Sequence, residues 1–584
     1  MATNRQRACS KALSSLLCLL LAPACTSGVA PDSMSAVNAG ASSSASAGAG
    51  SSANAEGGSG GNHEGSSGAA SMDCTSPDAS RVKFRVLTRL NRVEYDNTAR
   101  DLLGDTNHVP LNTLPADFGD GAFDNNAAAL TIDPSLAEQI SQVAEILAQN
   151  AVLAGSAGRK LVFVCPTTDE ACAQQIAGRF AARAWRRPLA AGELDRLLSL
   201  YKAARAGGFS FDEGVQTVVA ATLVSPNFLF RPEIDGMLDS SDVHAISPYE
   251  LATRLSYFLW NTMPDEDLTA SAASGEIATS AGLAAQLTRM WGSSKAEAFF
   301  VRFPGQWLHT LDISVAKQPA AEVFPEFDPA LKAAMEGETV RVMREFMTSD
   351  LDFLGFLDAK FSYLNATLAK FYGIPGQFGS DFVRVDLAGN GQRGGILTQA
   401  AFLTLTSPST RTSPVMRGQW VLARLLDAAP PPPPDDIPSL ESQAATQPQT
   451  MRQKMIAHRT NASCAACHML MDPIGFGLEN YDGIGTWRTT DNGLPVDASG
   501  ELGQGKAFNG ALALEALLKS DIRVPRAVVK YLMSYALGRE LDATDRCLID
   551  EVTAAFQTED RNRMKGLVAR VATLSTMTMR RAAP

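Results

Sequence analysis

Beyond residue 80, apolar residues recur every three or four positions through most of the chain, which is the spacing of one helix face. The stretch 134–152 shows it most clearly, with Leu136, Ile140, Val143, Ile146 and Leu147 in register. The stretch 87–104 predicts a helix through Leu87, Leu90, Val93, Leu102 and Leu103, stopped by Gly104. In "ARAWRRPLAAGELDRLLSLYKAARA", Pro188 divides two helices. The run "VQTVVAATLVSPNFLFRPE" is apolar throughout and predicts a buried helix. "SPYELATRLSYFLW" opens with a capping box: Ser247 at N-cap, Pro248 at N1 and Glu250 at N3. Further helices are expected from Ala281 to Leu368, and two more in 393–428, divided by a Ser/Thr/Pro loop. Prolines 430–434 then form an extended spacer. The last helical stretch breaks near Gly538. Period-two alternation is sparse and no strict repeat is visible. The expected fold class is therefore all-α.

The first 80 residues follow another pattern. Arg5, Arg7 and Lys11 precede the apolar run "ALSSLLCLLLAPAC", which reads as an export signal over 1–25, too short to span a bilayer stably. Ala24-Cys25 after the Leu-rich run resembles a lipobox, with Pro23 departing from the usual pattern; Cys25 is then the lipidation site. Cleavage to a soluble exported form is the alternative. Residues 26–73 are rich in Gly, Ser and Ala and cannot bury a core, so a disordered tether is expected there.

Composition narrows the rest. The 584 residues carry a net charge of -11 with 45% hydrophobic residues. No basic block stands out, so nucleic acid is not an expected partner. Of nine cysteines, six lie beyond the signal. In an oxidising compartment pairing is their default state. Cys165 and Cys172 flank a short loop and are expected to bond. Cys74 and Cys547 either pair together or remain free.

The sharpest chemical signal is Cys464-Ala465-Ala466-Cys467-His468. Two thiols three residues apart share a helical face, where each can add to a haem vinyl group, and the adjacent imidazole can ligate the iron. One covalent haem c is one reading. A zinc site using Cys464, Cys467, His468 and His458 is another, although adjacent ligands reach one tetrahedral ion awkwardly. A disulfide or redox dithiol is the third. If haem is held, His468 is the proximal ligand, and the distal candidates are Met416, His458, Met471 and Met533. Gly475, Gly477, Gly483 and Gly485 suit a loop lying close over a flat cofactor. Phe476, Tyr481 and Trp487 line either the haem or the core. Arg488 is a candidate partner for a propionate. Asp472 and Glu479 read as caps or loop anchors. Arg186, Arg187 and Asp265 read as ion-pairing or capping residues.

The ordered motifs "RLNRVEYDNTARDLLG", "ARAWRRPL", "SPYELATRLSYFLWNTMPDEDL", "RGGILTQAAFLTLTSPSTRTSPVMRGQWVL", "HRTNASCAACHMLMDPIGFGLENYDGIGTWR" and "YALGREL" resemble domain-of-unknown-function families 1587, 1595, 1592, 1588 and 1585, related to planctomycete-type cytochrome c proteins. The resemblance implies five segments: 81–150, 160–235, 244–376, the haem c-binding 391–490 and 505–575. It implies a multi-helical body with a C-terminal cytochrome c-like region, and one haem c on Cys464, Cys467 and His468. The functional expectation is an exported, lipid-anchored protein of the periplasm, outer membrane or cell surface. There it serves electron transfer or haem-dependent oxidoreduction with a redox partner in the envelope. The alternative is an envelope polysaccharide-binding protein, for cellulose, with a structural haem c.

Overall fold

The chain is described here from a computed structural model. The described residues are 81–582, apart from 118–122, 235–242, 311–312, 314–317, 432–446, 459–461 and 504. The signal, Cys25, the tether, Cys74 and most of the proline spacer lie outside them.

An N-terminal layer is closed by a two-residue ladder. Strand β1 (Thr88–Arg89) pairs antiparallel with β2 (Phe230–Arg231). Helix α1 (Arg92–Leu103) follows β1 and starts at a capping box between Asn91 and Glu94; Gly104 ends it in the left-handed region. The expected helical turn from Leu87 is thus a strand, because its backbone groups pair with a distant segment. Helices α2 (Pro134–Val152), α3 (Glu170–Ala184) and α4 (Glu193–Ala206) all pack on α5 (Phe211–Val224). The apolar run expected as one helix ends at Val224. Ser225 caps a further single turn, Pro226–Leu229, before β2. Cys165 and Cys172 form a disulfide with Cα atoms 5.9 Å apart.

Strand β3 (Val243–Ala245) leads into α6 (Pro248–Trp260), whose Ser247/Glu250 capping box is present. Helices α7 (Glu297–Trp307) and α8 (Pro329–Thr348) follow, then the ladder β4 (Phe361–Leu364) and β5 (Val383–Asp386). Helix α9 (Pro414–Trp420) runs into a π-helical turn at Val421–Leu425. Helices α10 (Met451–His458) and α11 (Ala462–Phe476) come next. Two small ladders follow: β6 (Thr490–Asp491) with β7 (Leu494–Pro495), and β8 (Ser499–Glu501) with β9 (Ala507–Asn509). Helices α12 (Arg523–Leu537), α13 (Arg546–Thr558) and α14 (Met564–Thr573) follow, then a single turn at Ser575–Thr578. Strand β10 (Met579–Arg581) returns to pair with β3.

The molecule is thus predominantly helical, as expected, with a few short two-stranded antiparallel ladders. One hydrophobic core runs from Phe123 to Met577, through α6, α7, α8, α11 and the C-terminal helices. Segments 81–150, 244–376, 391–490 and 505–575 each contribute residues to this core. No helix among the described residues is long and apolar enough to cross a membrane.

Candidate haem-attachment site

Helix α11 carries the pentapeptide. Cys464, Cys467 and His468 occupy positions i, i+3 and i+4 of its backbone, which lie on one face. The side chains of Cys464 and His458 lie outside the described residues. Cys467 is a half-buried free thiol. Among the described residues, no three His, Cys, Asp or Glu side chains converge as a metal cluster.

His468 is oriented by its own helix. Its Nδ1 lies 3.0 Å from Oδ1 of Asp472, one turn on, and the Asp472 side chain is fully buried. A carboxylate only accepts, so Nδ1 is the protonated nitrogen in this pair. Met469 and Leu470, just beyond, are 61% and 60% exposed. Both turn away from the helix face that carries Cys464, Cys467 and His468.

The helix then turns inward. It continues through Pro473, although proline removes a helical donor. What holds it there is close packing on α9. A Cβ on Gly418 would stand 1.9 Å from the Met471 carbonyl oxygen, and one on Gly475 would stand 1.9 Å from that of Pro414. Gly475 is therefore a helix-packing residue, which corrects its assignment to a loop over a cofactor. Gly477 packs against the Phe508 ring, and Gly485, at φ +96°, against Ala400.

Arg417, next to Gly418, is the side chain that sequence reasoning missed. It is completely buried. It donates to the carbonyls of Leu478, Tyr481 and Asp482 at 2.7, 3.0 and 2.7 Å, and to Glu479 Oε1 at 3.2 Å. Burial brings its guanidinium down to about 10, opposed by Glu479. Burial pushes the Glu479 carboxyl up, opposed by Arg417 and Arg488. Arg488 bonds Glu479 Oε2 at 2.9 Å and Asp491 at 3.0 Å. It thus serves the loop anchor. The motif "TSPVMRGQW" held the signal: an arginine beside a glycine within an apolar helix.

The distal candidates scatter. Met471 is buried in the main core, and Met533 is fully buried on α12. Met416 is half-buried on α9. Phe476 packs with Met451 and Met455 of α10, under the Arg452 guanidinium. Tyr481 and Trp487 meet edge to face at 5.2 Å. Of the remaining singled-out residues, Arg186 donates to the carbonyls of Asn227, Phe228 and Phe230. Arg187 pairs with Glu193, and Asp265 caps a helix and pairs with Arg289.

Five family models, each described as a protein of unknown function, match the chain in order: DUF1587 over 88–153, DUF1595 over 172–233, DUF1592 over 246–374, DUF1588 over 393–491 and DUF1585 over 504–575. The DUF1588 match encloses α9, α11 and the pentapeptide. These are the five families that the ordered motifs resemble. No curated protein and no solved structure matches the chain.

Proposed function

We propose that this chain is an exported, lipid-anchored monohaem c protein of the cell envelope, serving electron transfer or haem-dependent oxidoreduction with an envelope partner. The observation that carries the reading is the donor set on α11. A free Cys467 thiol stands beside an imidazole whose Nδ1 is already engaged by Asp472. This donor chemistry fits a haem c. Cys464 and Cys467 would hold the porphyrin through thioethers, and His468 would ligate through Nε2. Haem c, when bound, supplies a one-electron redox centre. The chain's own part is to fix the imidazole through Asp472. Arg417 and Glu479 hold the following loop in place.

Purified, exported protein tests the reading. The expected result is a mass gain of one haem and a c-type band in the reduced-minus-oxidised spectrum, both lost in Cys467→Ser. Wild-type protein matured with haem that shows neither mass gain nor band overturns it.

A further inference from the structure

We infer that Asp472 is a positioning residue that sets how strongly His468 donates to the iron and so lowers the potential of the centre; this rests on the haem reading above. Three observations on the chain itself support it. The Asp472 carboxylate meets the ring at 3.0 Å, on the same helix and one turn away. Its side chain is wholly shielded from solvent, while that of His468 is 14% exposed. The contact therefore lies where dielectric screening is weak. The backbone on both sides of Asp472 is immobilised, because Met471 is pressed on Gly418 and Gly475 on Pro414.

The physical consequence follows from the direction of the hydrogen bond. A carboxylate accepting Nδ1–H draws that proton toward itself and leaves Nε2 richer in electron density. A richer Nε2 favours the more positive oxidation state of a metal, which lowers its potential. A neutral acceptor pulls the proton less. The buried geometry keeps the carboxylate on the ring rather than on water.

The test compares full-length wild type, Asp472→Asn and Asp472→Ala, each exported and matured with haem. Asn keeps the size and an acceptor oxygen but removes the charge. The midpoint potential is expected to rise in Asp472→Asn and further in Asp472→Ala, and the iron–histidine stretch of the reduced form to fall in the same order. A role confined to packing would move the unfolding midpoint and leave both readings where they were. If Asp472→Ala does not fold, the near-isosteric Asn variant still decides. Haem attached, with the Asp472→Asn potential equal to wild type, overturns the inference. Wild-type protein without haem overturns the haem reading instead.

Discussion

Within the described side chains of helix α11, exposure falls sharply between Leu470 and Met471. The outer half, through Leu470, carries the residues with chemistry, and its last two side chains stand mostly in solvent. The inner half, from Met471 to Phe476, is largely buried and packs on α9 through two glycines. Asp472 sits at the start of the inner half and reaches back to His468 in the outer half. A reactive side chain is thus presented by a rigid seat, the arrangement that holds a functional geometry to within a fraction of an ångström. The difference teaches that the inner half should govern folding and the outer half only what the fold binds.

The largest break in that contrast comes from Arg417→Met. Methionine fills much of the volume but leaves three loop carbonyls and Glu479 without their donor. A loss of about 4 kcal/mol in stability is expected, as for a buried ion pair missing one partner. Denaturant midpoints will read it; a loss below ~1 kcal/mol contradicts the role of Arg417 as the loop's anchor.

Gly418→Ala comes next, and its sign is the sharper test. Helix propensity alone favours alanine by roughly 1 kcal/mol. The approach to the Met471 carbonyl predicts the reverse, a loss of about 3 kcal/mol, because backbone must shift to admit the methyl group. A stabilised variant in urea unfolding defeats the packing account.

A third effect is tied to pH and acts through the loop after α11. Glu338 is fully buried; Ser362 and Tyr372 donate to it at 2.5 and 2.6 Å. Burial raises its carboxyl from 4.5 to about 7, against those two hydrogen bonds and the charge of Arg393. Arg393 lies over the Tyr372 ring at 3.9 Å and donates to the Gly485 carbonyl, in the loop after α11. Between 4.5 and about 7 the folded chain keeps a proton that the unfolded chain has lost. This contribution is therefore full below about 4.5 and is lost as pH rises through about 7. Up to about 3 kcal/mol is at stake, at 1.36 kcal/mol per unit. Glu338→Gln should remove that part of the slope between pH 5 and 8. Parallel stability curves for the two proteins refute it.

What the sequence made legible follows the range of the interaction. The capping box at Ser247 and Glu250 is closed within one turn, so its letters suffice. The pentapeptide is legible for the same reason, since its spacing is its chemistry. The start of α1 was not, because Thr88 and Arg89 take their partners from Phe230 and Arg231. Gly475 looked like a loop glycine beside Gly477, Gly483 and Gly485; its close approach to Pro414 of α9 shows in the fold and not in the letters. Arg417 was hidden in plain view. Its burial depends on carbonyls from a loop that follows it by some sixty positions.

The smallest effect sharpens the contrast from the other side. In haem-free protein, Met469→Ser with Leu470→Ser should change stability by no more than about 0.5 kcal/mol, since both side chains already face water. In haem-loaded protein the same pair should cost no more, because positions 469 and 470 turn away from the helix face that carries Cys464, Cys467 and His468. The comparison is internal, so propensity and expression differences cancel. Equal costs in the two states mean that the outer half offers the cofactor its donors but no cover. A large cost already in the haem-free protein means that Met469 and Leu470 belong with the inner seat, and the division of α11 at Met471 is wrong.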